Sequence, residues 1–561
     1  MTESAPGNFL EAIWARLESS GPGTILEEYR DGGAVTVTGA ELLGMVAVAR
    51  ASIRSAGAKR GDRCGLLADN SVRWVAANLA ILAEGLICVP LYSRQAPAEL
   101  AALVSDCEPA LLLCGTSALC AAILAVCDRV PRTILLDEMF AATPSDSSNP
   151  PIALGSSDPV MIIYTSGTSG VAKGVVLSAG NVTHMLGCTS SRLDLLMERR
   201  GGQDRVFHYL PFCFAGSWIL LLTSLLRGSR LGLNTDLNLL AAELPAAAPD
   251  YVLNVPALLE RMRRGVDDQV ASKGGVVAKI YSHAMRAVLR RQENAGDGAS
   301  ATEGLWLWLA KWLVFPAIRK RMLGANLRAL ICGSAPLVPE TQAYFQMLGV
   351  PVLQVYGLTE TTAICTLDDP RGVEIGRVGP VVPQVEMRIG DNQEILVRGP
   401  NVFAGYWNRP EETAAVLRDG WFHTGDQGEV NTAGNWKVAG RLKNLVILSS
   451  GHNVAPEPIE DKLRQSISGA QQVVVVGNGR GFLSALVTGP VARDAVQRGL
   501  DTVNADMPHY KQVRAFHVVP DAFSIESGLL TANGKLKRDA IAVRFQNEIA
   551  DLYGSRARVA S

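Results

Sequence analysis

The amino-acid sequence predicts an α/β protein that begins with a parallel sheet and continues into a β-rich section and a further strand-and-helix block. In the first 140 residues, RCGLLADN has the pattern of a strand entering a turn, VRWVAANLAILAEG that of a helix ending at Gly85, and LICVPLY that of a second strand. This spacing favours parallel strands joined by helical crossovers. Residues 371–440 divide into short runs separated by Gly and Pro, and the last pattern begins at about residue 441.

Length and composition limit the classes of protein that the chain can be. Its 561 residues correspond to about three to four domain-sized units at roughly 150 residues each. Hydrophobic residues make up 48% of the chain and charged residues 19%, which predicts large buried cores and excludes wholesale disorder. With 53 Lys and Arg against 54 Asp and Glu, the net charge is −1. We therefore expect no nucleic-acid partner.

The cysteines and the N-terminus favour a reduced, cytoplasmic protein. The chain has ten cysteines but no C-x-x-C pair, and those with apolar neighbours are expected to be buried thiols rather than metal ligands. The first residues, MTESAPGNFLEAIW, lack the basic and then apolar character of a secretory signal. The uncharged run 208–226 is nominally long enough to span a membrane, but it contains Pro211 and Gly216 and is expected to be a buried strand or helix.

The segment YTSGTSGVAKG, residues 164–174, predicts a polyphosphate-binding loop. Its glycines allow backbone N–H groups to approach a phosphate closely, its hydroxyls supply donors, and Lys173 adds positive charge. It is not a Walker A loop, because Gly174 follows the lysine where Ser or Thr is required. Taken alone, the segment could also be a Ser/Gly-rich hairpin turn without a ligand. The residues concerned are Thr165, Ser166, Gly167, Thr168, Ser169, Gly170 and Lys173.

Four further segments follow in a fixed order. They are VYGLTETT (355–362), WFHTGD (421–426), GRLKNLVILSSGHNVAPEPIE (440–460) and LLTANGKLKR (529–538). Each has an ordinary structural interpretation when taken alone: Glu360 as a first-turn helix acid, Asp426 as a turn residue and Lys535 as a solvated turn lysine. Together with the phosphate loop, the five segments resemble the signature of the adenylate-forming superfamily, which comprises acyl-CoA synthetases, peptide-synthetase adenylation domains and luciferases.

The resemblance implies a role for each matched residue. The catalytic residues it implies are Lys535, Thr359 at the α-phosphate and Glu360, which is also the Mg²⁺ ligand. Lys443 is implied to be the hinge. Besides the loop residues, the implied ATP- or AMP-binding residues are Gly333, Ser334, Tyr356 (stacked on adenine), Gly357, and Asp426 with Arg441 on the ribose.

The resemblance also implies a fold and a two-step reaction. It implies a large N-terminal domain of layered mixed β-sheets with helices and a β-rich subdomain, residues 1–440, and a small mobile α+β domain, residues 441–561. ATP, Mg²⁺ and CoA are the implied cofactor and co-substrates. The substrate carboxylate is already ionised at neutral pH, so the first step requires positioning and charge neutralisation rather than a general base.

Three segments resemble the long-chain fatty acid–CoA ligase branch: the hinge text ending NVAPEPIE, the helical stretch 308–337 before a G-x-A-P element, and ESGLLTANGKLKR. We therefore expect activation of a medium- or long-chain fatty acid to acyl-AMP and its transfer to CoA. Only 26 residues follow Lys535, which predicts a free-standing ligase. The alternatives are transfer to a carrier protein or an amine, activation of an aryl or other acid, and a nucleotide-binding scaffold without activity.

The acyl pocket is predicted from one segment, which departs from the pattern of the branch. Where the branch usually has L-P-L-x-H, this chain has LPFCF, so that Phe214 replaces the histidine. We expect Phe212, Phe214 and Trp218 to line an apolar acyl pocket, and ordinary core packing is the alternative, favoured for Trp218.

A cluster of tryptophans lies beside basic residues in the helical stretch. Trp306, Trp308 and Trp312 flank Lys311, and Arg319, Lys320 and Arg321 follow. One interpretation is peripheral contact with a membrane surface, and the favoured alternative is a packed helix with a solvated basic face. The sequence makes no prediction of the oligomeric state.

Overall fold

The computed structural model describes residues 7–30, 32–127, 131–141, 149–166, 172–198, 202–293, 301–531 and 534–554. It confirms the predicted α/β class, with a large N-terminal domain of mixed sheets and a C-terminal α+β domain.

The strands in chain order are β1 Thr24–Arg30, β2 Gly33–Thr38, β3 Arg63–Leu67, β4 Ile87–Leu91, β5 Leu111–Cys114, β6 Arg132–Leu135, β7 Pro159–Ser166, β8 Ala172–Ser178, β9 Arg205–His208, β10 Arg230–Asn234, β11 Tyr251–Asn254, β12 Ala329–Cys332, β13 Val352–Tyr356, β14 Thr366–Leu367, β15 Glu386–Ile389, β16 Glu394–Arg398, β17 Gly405–Tyr406, β18 Leu417–Arg418, β19 Trp421–Val430, β20 Trp436–Arg441, β21 Val446–Ile447, β22 Asn453–Val454, β23 Gln472–Val476, β24 Leu483–Thr488 and β25 Val513–Val519.

The helices are α1 Phe9–Ser19, α2 Gly39–Ser55, α3 Val72–Ala83, α4 Pro97–Cys107, α5 Ser117–Leu124, α6 Leu136–Ala141, α7 Ala179–Met197, α8 Ala215–Arg227, α9 Leu240–Ala247, α10 Pro256–Lys273, α11 Gly275–Glu293, α12 Ala301–Leu313, α13 Phe315–Leu323, α14 Pro339–Met347, α15 Pro410–Val416, α16 Glu457–Ser466, α17 Arg493–Ala505, α18 Arg538–Arg544 and α19 Gln546–Leu552.

The first predicted strand–helix–strand unit forms as expected. Strands β3 and β4 pair in parallel, with Cys64 opposite Cys88, and α3 connects them. The Ser71 side chain caps the start of α3 by accepting from the Trp74 N–H. After the helix, Gly85 adopts φ +69, the left-handed conformation that glycine tolerates best, and so the chain turns back into β4.

Two large sheets form the N-terminal domain. One has the order β14-β13-β12-β11-β9-β10-β1-β2, parallel except at its two edge strands. The other has the order β17-β8-β7-β4-β3-β5-β6, in which β7, β8 and β17 pair antiparallel. One hydrophobic core contains residues of both sheets and of α2, α3, α7 and α8, so these helices lie between the sheets.

The outer faces of the two sheets are covered by other helices. Adjacent residues of a strand point to opposite faces, and accordingly Leu66 belongs to the shared core whereas Leu67 packs with α4 and α5. Helices α9 to α14 supply the core on the outer face of the larger sheet. Residues 371–440 form the predicted β-rich section, in which β15, β16, β19 and β18 pair in order and β20 adds to β19.

The C-terminal domain has its own hydrophobic core. Strands β23, β24 and β25 form a mixed three-stranded sheet. Helices α16 and α17 pack on one face, and α18 and α19 contribute to a second cluster on the other. The exact boundary at residues 440 and 441 stays a prediction.

The uncharged run 208–226 is divided between a strand end, a loop and a buried helix. His208 ends β9, and α8 begins at Ala215 and ends at Arg227, followed by Gly228 with φ +66. In the described ranges, no helix combines the length and the apolar character needed to cross a membrane.

Two predicted acyl-pocket residues, Phe212 and Trp218, lie in the core around α8. Phe212 stacks on His208 with ring centroids 5.0 Å apart and also contacts Trp74 at 5.1 Å. The indole N–H of the fully buried Trp218 donates to Asn78 Oδ1 at 3.1 Å. The environment of both side chains is therefore that of packed core residues.

Replacing Trp218 by Phe should destabilise the N-terminal domain by about 2–3 kcal/mol, since Asn78 Oδ1 loses its donor and the smaller ring leaves a void. Urea denaturation followed by circular dichroism measures the change. Phe214→His, at a partly exposed aromatic residue just before the same helix, is the matched control and should stay within about 1 kcal/mol of the parent. An unchanged midpoint for Trp218→Phe would contradict a core role.

Candidate active site

A buried carboxylate, Asp426, joins the larger sheet to the β-rich section. Asp426 on β19 lies opposite Arg441 on β20, and Arg441 Nε is 2.8 Å from Asp426 Oδ1. Tyr356, the last residue of β13, donates its hydroxyl to Asp426 Oδ2 at 2.9 Å. Each carboxylate oxygen retains a further lone pair that can accept from a ligand hydroxyl.

The electrostatic balance at Asp426 depends on its cationic neighbours. The carboxylate is 3% exposed, and burial raises its pKa above the ordinary value. Arg441, the Tyr356 hydroxyl and Lys535 act in the opposite direction and favour the anion. Burial also raises the pKa of Tyr356 well above its usual range, so this hydroxyl stays protonated and donates.

A second cluster surrounds Glu360. This residue lies in the short 3₁₀ turn Thr359–Thr361 that follows Tyr356. Tyr406 donates its hydroxyl to Glu360 Oε1 at 2.9 Å, and the ammonium group of Lys173 lies 5.2 Å from the centre of the Tyr406 ring. Tyr406 therefore lies between Glu360, the predicted magnesium ligand, and Lys173, the predicted phosphate-binding lysine.

Tyr406 is the site residue that sequence reasoning missed. It belongs to β17, a short strand in the middle of the β-rich section, which leaves that section's sheet and pairs with β8, the strand that carries Lys173. The available signal was the run Gly405-Tyr406-Trp407 within a section punctuated by Gly and Pro. That run indicates a turn without indicating which sheet it joins.

The strands that flank the predicted phosphate loop form a hairpin. Thr165 on β7 lies opposite Lys173 on β8. This register brings the two ends of the loop together beside Tyr406. The predicted loop residues Gly167, Thr168, Ser169 and Gly170 lie outside the described residues, as does the side chain of Ser166, and their role in nucleotide binding stays a prediction.

The backbone is crowded where β12 and β13 end. These parallel strands end at the same edge of the sheet, the usual place for a ligand in such folds. A Cβ on Gly357 would lie 2.3 Å from the Ala363 carbonyl oxygen, and one on Gly333 would lie 2.5 Å from Val355 Cγ2. Ser334 has φ +73. Gly333, Ser334 and Gly357 thus form a tight wall beside Tyr356.

The C-terminal domain contributes Lys535 to the same cleft. Two hydrogen bonds join residues 531 and 535: the Thr531 N–H donates to the Lys535 carbonyl, and the Lys535 N–H donates to the Thr531 side-chain Oγ1. The Lys535 side chain remains accessible to solvent. Surrounding protein and Arg441 lower the pKa of Lys535, whereas Asp426 and Glu360 raise it. These interactions place Lys535 near both acidic clusters.

Ion pairs connect the two domains in this arrangement. Arg464 of α16 binds Glu260 of α10 through two hydrogen bonds, of 2.7 and 3.0 Å, and Glu260 is 8% exposed. The more exposed Lys537 lies 3.4 Å from Glu99 of α4. Both pairs form only when the small domain faces the large one as it does here.

Lys443, the predicted hinge, lies in the short turn Leu442–Asn444 directly after β20. Burial lowers its pKa, and the neighbouring Arg441 acts in the same direction. The next residue, Asn444, donates to Glu457 at 2.6 Å. The turn therefore links the strand that carries Arg441 to the start of α16.

Of the predicted acyl-pocket residues, Phe214 is partly exposed. Its ring lies 5.7 Å from that of Tyr92 at the end of β4. Phe212 and Trp218 are buried in the core described above. A role for these three side chains in acid binding stays a prediction.

The donor set fits a magnesium ion that arrives with a nucleotide. Glu360 offers a partly exposed carboxylate beside Lys173, and Mg²⁺ bound with phosphates typically requires only one or two protein carboxylates. Among the described residues, no group of three His, Cys, Asp or Glu could hold a metal ion by itself.

Burial raises the pKa of the Cys107 thiol to about 12, so this thiol stays protonated, as expected for a buried cysteine.

Family models match most of the chain. The model described as AMP-binding enzyme matches residues 23–407, and that described as AMP-binding enzyme C-terminal domain matches residues 443–557. The chain therefore belongs to the AMP-binding enzymes, the adenylate-forming superfamily indicated by its five motifs.

Individual relatives refine this assignment. The chain is 29% identical over 575 residues to long-chain-fatty-acid–CoA ligase FadD15 of Mycobacterium tuberculosis, covering 94% of each protein. It is 30% identical over 468 residues to putative fatty-acid–CoA ligase fadD11 of the same species, covering 77% of this chain and 80% of that protein. The solved o-succinylbenzoate coenzyme A synthetase of Bacillus subtilis with AMP shares the fold at a TM-score of 0.73 and 21% identity, covering 95% and 98% of the chains.

Tyr356→Phe should raise the pKa of Asp426 further, because the substitution removes a hydrogen bond that stabilises the carboxylate. If the ionised form binds the nucleotide, binding is lost as the pH falls through that pKa. We therefore expect the acid limb of the kcat/KM profile for ATP to move to higher pH, with a several-fold loss at neutral pH. Pyrophosphate exchange across a pH series measures this shift.

The matched control for this experiment is Tyr553→Phe, which removes a hydroxyl donor to the Val476 carbonyl in the C-terminal domain. Its pH profile should coincide with that of the parent. A Tyr356→Phe profile that also coincides would show that Asp426 does not carry the acid limb.

Proposed function

We propose that the protein is an ATP-dependent, AMP-forming ligase that joins a medium- or long-chain fatty acid to CoA. The observation that carries the proposal is the convergence of Asp426 and Glu360 of the large domain with Arg441 at the domain boundary and Lys535 of the small domain. This set offers acceptors for ribose, a ligand for magnesium and cations for phosphate. It matches the requirements of an ATP-dependent acid activation.

In the first proposed step, a carboxylate oxygen of the acid attacks the α-phosphorus of ATP, and the bond to the β-phosphate breaks. Acyl-AMP forms and pyrophosphate leaves. Two anions must approach each other, so Lys535 and Lys173 would lower the barrier by neutralising charge, and the Thr359 hydroxyl by donating a hydrogen bond. Mg²⁺, held by Glu360, would supply further neutralisation when bound. Asp426 with Arg441 and Tyr356 would fix the nucleoside.

In the second proposed step, the thiol of CoA attacks the acyl carbon, and AMP leaves as the thioester forms. We call the arrangement in which the small domain faces the large one closed. Lys535 in the cleft and the ion pairs Arg464–Glu260 and Lys537–Glu99 all belong to it. Rotation of the small domain, residues 441–561, about Lys443 would break those pairs, withdraw Lys535 and open a path for the thiol. One cleft can then perform two half-reactions in sequence.

The fatty acid is the substrate supported by the relatives. FadD15 and fadD11 bear the names of fatty-acid–CoA ligases, and the chain spans most of the length of both. An aryl acid is the second candidate, supported by the shared fold of o-succinylbenzoate coenzyme A synthetase. Phe214, partly exposed beside Tyr92, would add an apolar ring to the acid-binding pocket in either case.

Pyrophosphate exchange with a panel of fatty and aryl acids tests both the reaction and the substrate. Exchange that requires an aliphatic acid, followed by thioester formation only when CoA is added, would support the proposal. Exchange with aryl acids alone would reject the fatty acid. Adenylate formation without any CoA thioester would favour a carrier protein or an amine as acceptor.

Lys535→Ala should abolish most adenylate formation while leaving thioester formation from supplied acyl-AMP largely intact. The reason is that Lys535 neutralises phosphate charge only in the first step, which predicts a loss of at least about a hundredfold in pyrophosphate exchange. Lys462→Ala, at an exposed lysine of α16, is the control. Equal losses in both half-reactions would contradict the rotation scheme.

Arg464→Ala should slow adenylation several-fold and leave thioester formation from acyl-AMP unchanged or faster, because the closed arrangement loses a buried ion pair. Arg264→Ala is the matched control: Arg264 also contacts Glu260, at 3.6 Å, but from within α10. Single-turnover measurement of each half-reaction separates the outcomes. If both variants slow adenylation equally, the slowing comes from the loss of a cationic partner of Glu260 and not from the loss of the contact between the domains.

A further inference from the structure

The hairpin of α11 (Gly275–Glu293) and α12 (Ala301–Leu313) has a concentrated exposed apolar surface. Trp308 is 58% exposed, Trp312 67% and Leu313 66%. Elsewhere in the described ranges, exposed large apolar side chains occur singly or in pairs. We call the following set the hairpin patch: Val276, Val277, Leu305, Trp308, Trp312 and Leu313.

The two helices of the hairpin are antiparallel, which fixes the level at which the residues of the hairpin patch lie. His283 of α11 stacks on Trp306 of α12 with ring centroids 4.6 Å apart. Helices rise equally per residue, so six residues along each helix from this pair bring residue 277 opposite residue 312. Val276 and Val277 therefore lie at the same level along the hairpin as Trp312 and Leu313, at the end of the hairpin where α11 begins and α12 ends.

The α12 side of the patch is one helix face. Leu305, Trp308 and Trp312 are spaced by three and four residues, which places them in one stripe. Trp306 and Leu309, between them, pack instead against the core formed by α9 to α14. Helix α12 thus buries one apolar face and exposes another.

Positive charge surrounds the hairpin patch. Residues 275–323 contain eight Lys or Arg and three Asp or Glu, a net charge of +5, whereas the whole chain has −1. Lys279 and Arg286 lie on the same face of α11 as His283, and the Arg286 guanidinium contacts the His283 ring at 3.3 Å. The exposed basic residues here are Lys279, Arg286, Arg290, Lys311, Lys320 and Arg321.

We propose that the hairpin patch docks on the surface of an anionic lipid bilayer. Exposed tryptophan is favoured at the boundary between water and hydrocarbon, and each Lys or Arg close to an anionic surface adds attraction. A second copy of the chain is disfavoured as the occupant, because like patches would bring +5 against +5. If the substrate is the fatty acid proposed above, docking would hold the enzyme where such acids partition.

Co-sedimentation of the full chain with vesicles tests the proposal without ATP, acid or CoA. The protein should sediment with equimolar phosphatidylglycerol and phosphatidylcholine vesicles, and less with phosphatidylcholine alone. Raising the ionic strength should weaken binding. The double variant Trp308→Ala/Trp312→Ala should bind roughly tenfold more weakly, and Lys320→Gln/Arg321→Gln should reduce the dependence on salt.

The matched control is Leu237→Ala/Leu239→Ala, which removes two exposed apolar side chains from a segment outside the hairpin. It should bind as the parent does. The tryptophan variant should keep its thermal midpoint and its pyrophosphate exchange with a water-soluble acid, which separates docking from folding and from the ligase reaction.

Two results would overturn the proposal. One is sedimentation with anionic vesicles that is absent or that the tryptophan substitutions do not change. The other is a dimer, seen by light scattering, that disappears in the tryptophan variant while vesicle binding is absent, because the patch would then join two copies. Neither result would affect the proposed ligase activity.

Discussion

The structure depends on one buried carboxylate, that of Asp426. It is 3% exposed, and its two oxygens are bound by Arg441 and Tyr356, which belong to different sheets. A buried anion without partners would be strongly destabilising. The β-rich section is therefore fixed to the edge of the larger sheet where β13 ends, and the same contact fixes the start of the segment that leads to Lys443. Fold and candidate site share this one constraint.

The layered architecture explains how distant segments meet. Strands β12 and β13 end at one edge of the larger sheet, the β7–β8 hairpin belongs to the other sheet, and β17 joins that hairpin from the β-rich section. Tyr406 then contacts Glu360 directly and lies beside Lys173. Glu360 follows a strand of the larger sheet and accepts from the Tyr406 hydroxyl, whereas Lys173 belongs to the other sheet and lies over the Tyr406 ring. A site of this kind requires both sheets and the β-rich section to be in place.

Much of this arrangement was predictable from local pattern. Helix α3 and its parallel strands follow from apolar periodicity and the turn at Gly85, and motif order predicted the family. Two other features depend on long-range packing. Trp218 faces the core because Asn78, which is 140 residues away in sequence, lies next to it. Tyr406 lies beside Lys173 because β17 pairs with β8. Composition and periodicity report how much a segment is buried but not which segment buries it.

The two ion pairs between the domains differ in their exposure to water. Arg464 and Glu260 are 20% and 9% exposed in their side chains, whereas Lys537 and Glu99 are 34% and 47% exposed. Dissolved ions screen an exposed pair far more than a buried one. We therefore expect concentrated salt to weaken the Lys537–Glu99 pair before the Arg464–Glu260 pair. If the small domain rotates as proposed, its first opening motion would be a tilt about the Arg464 contact.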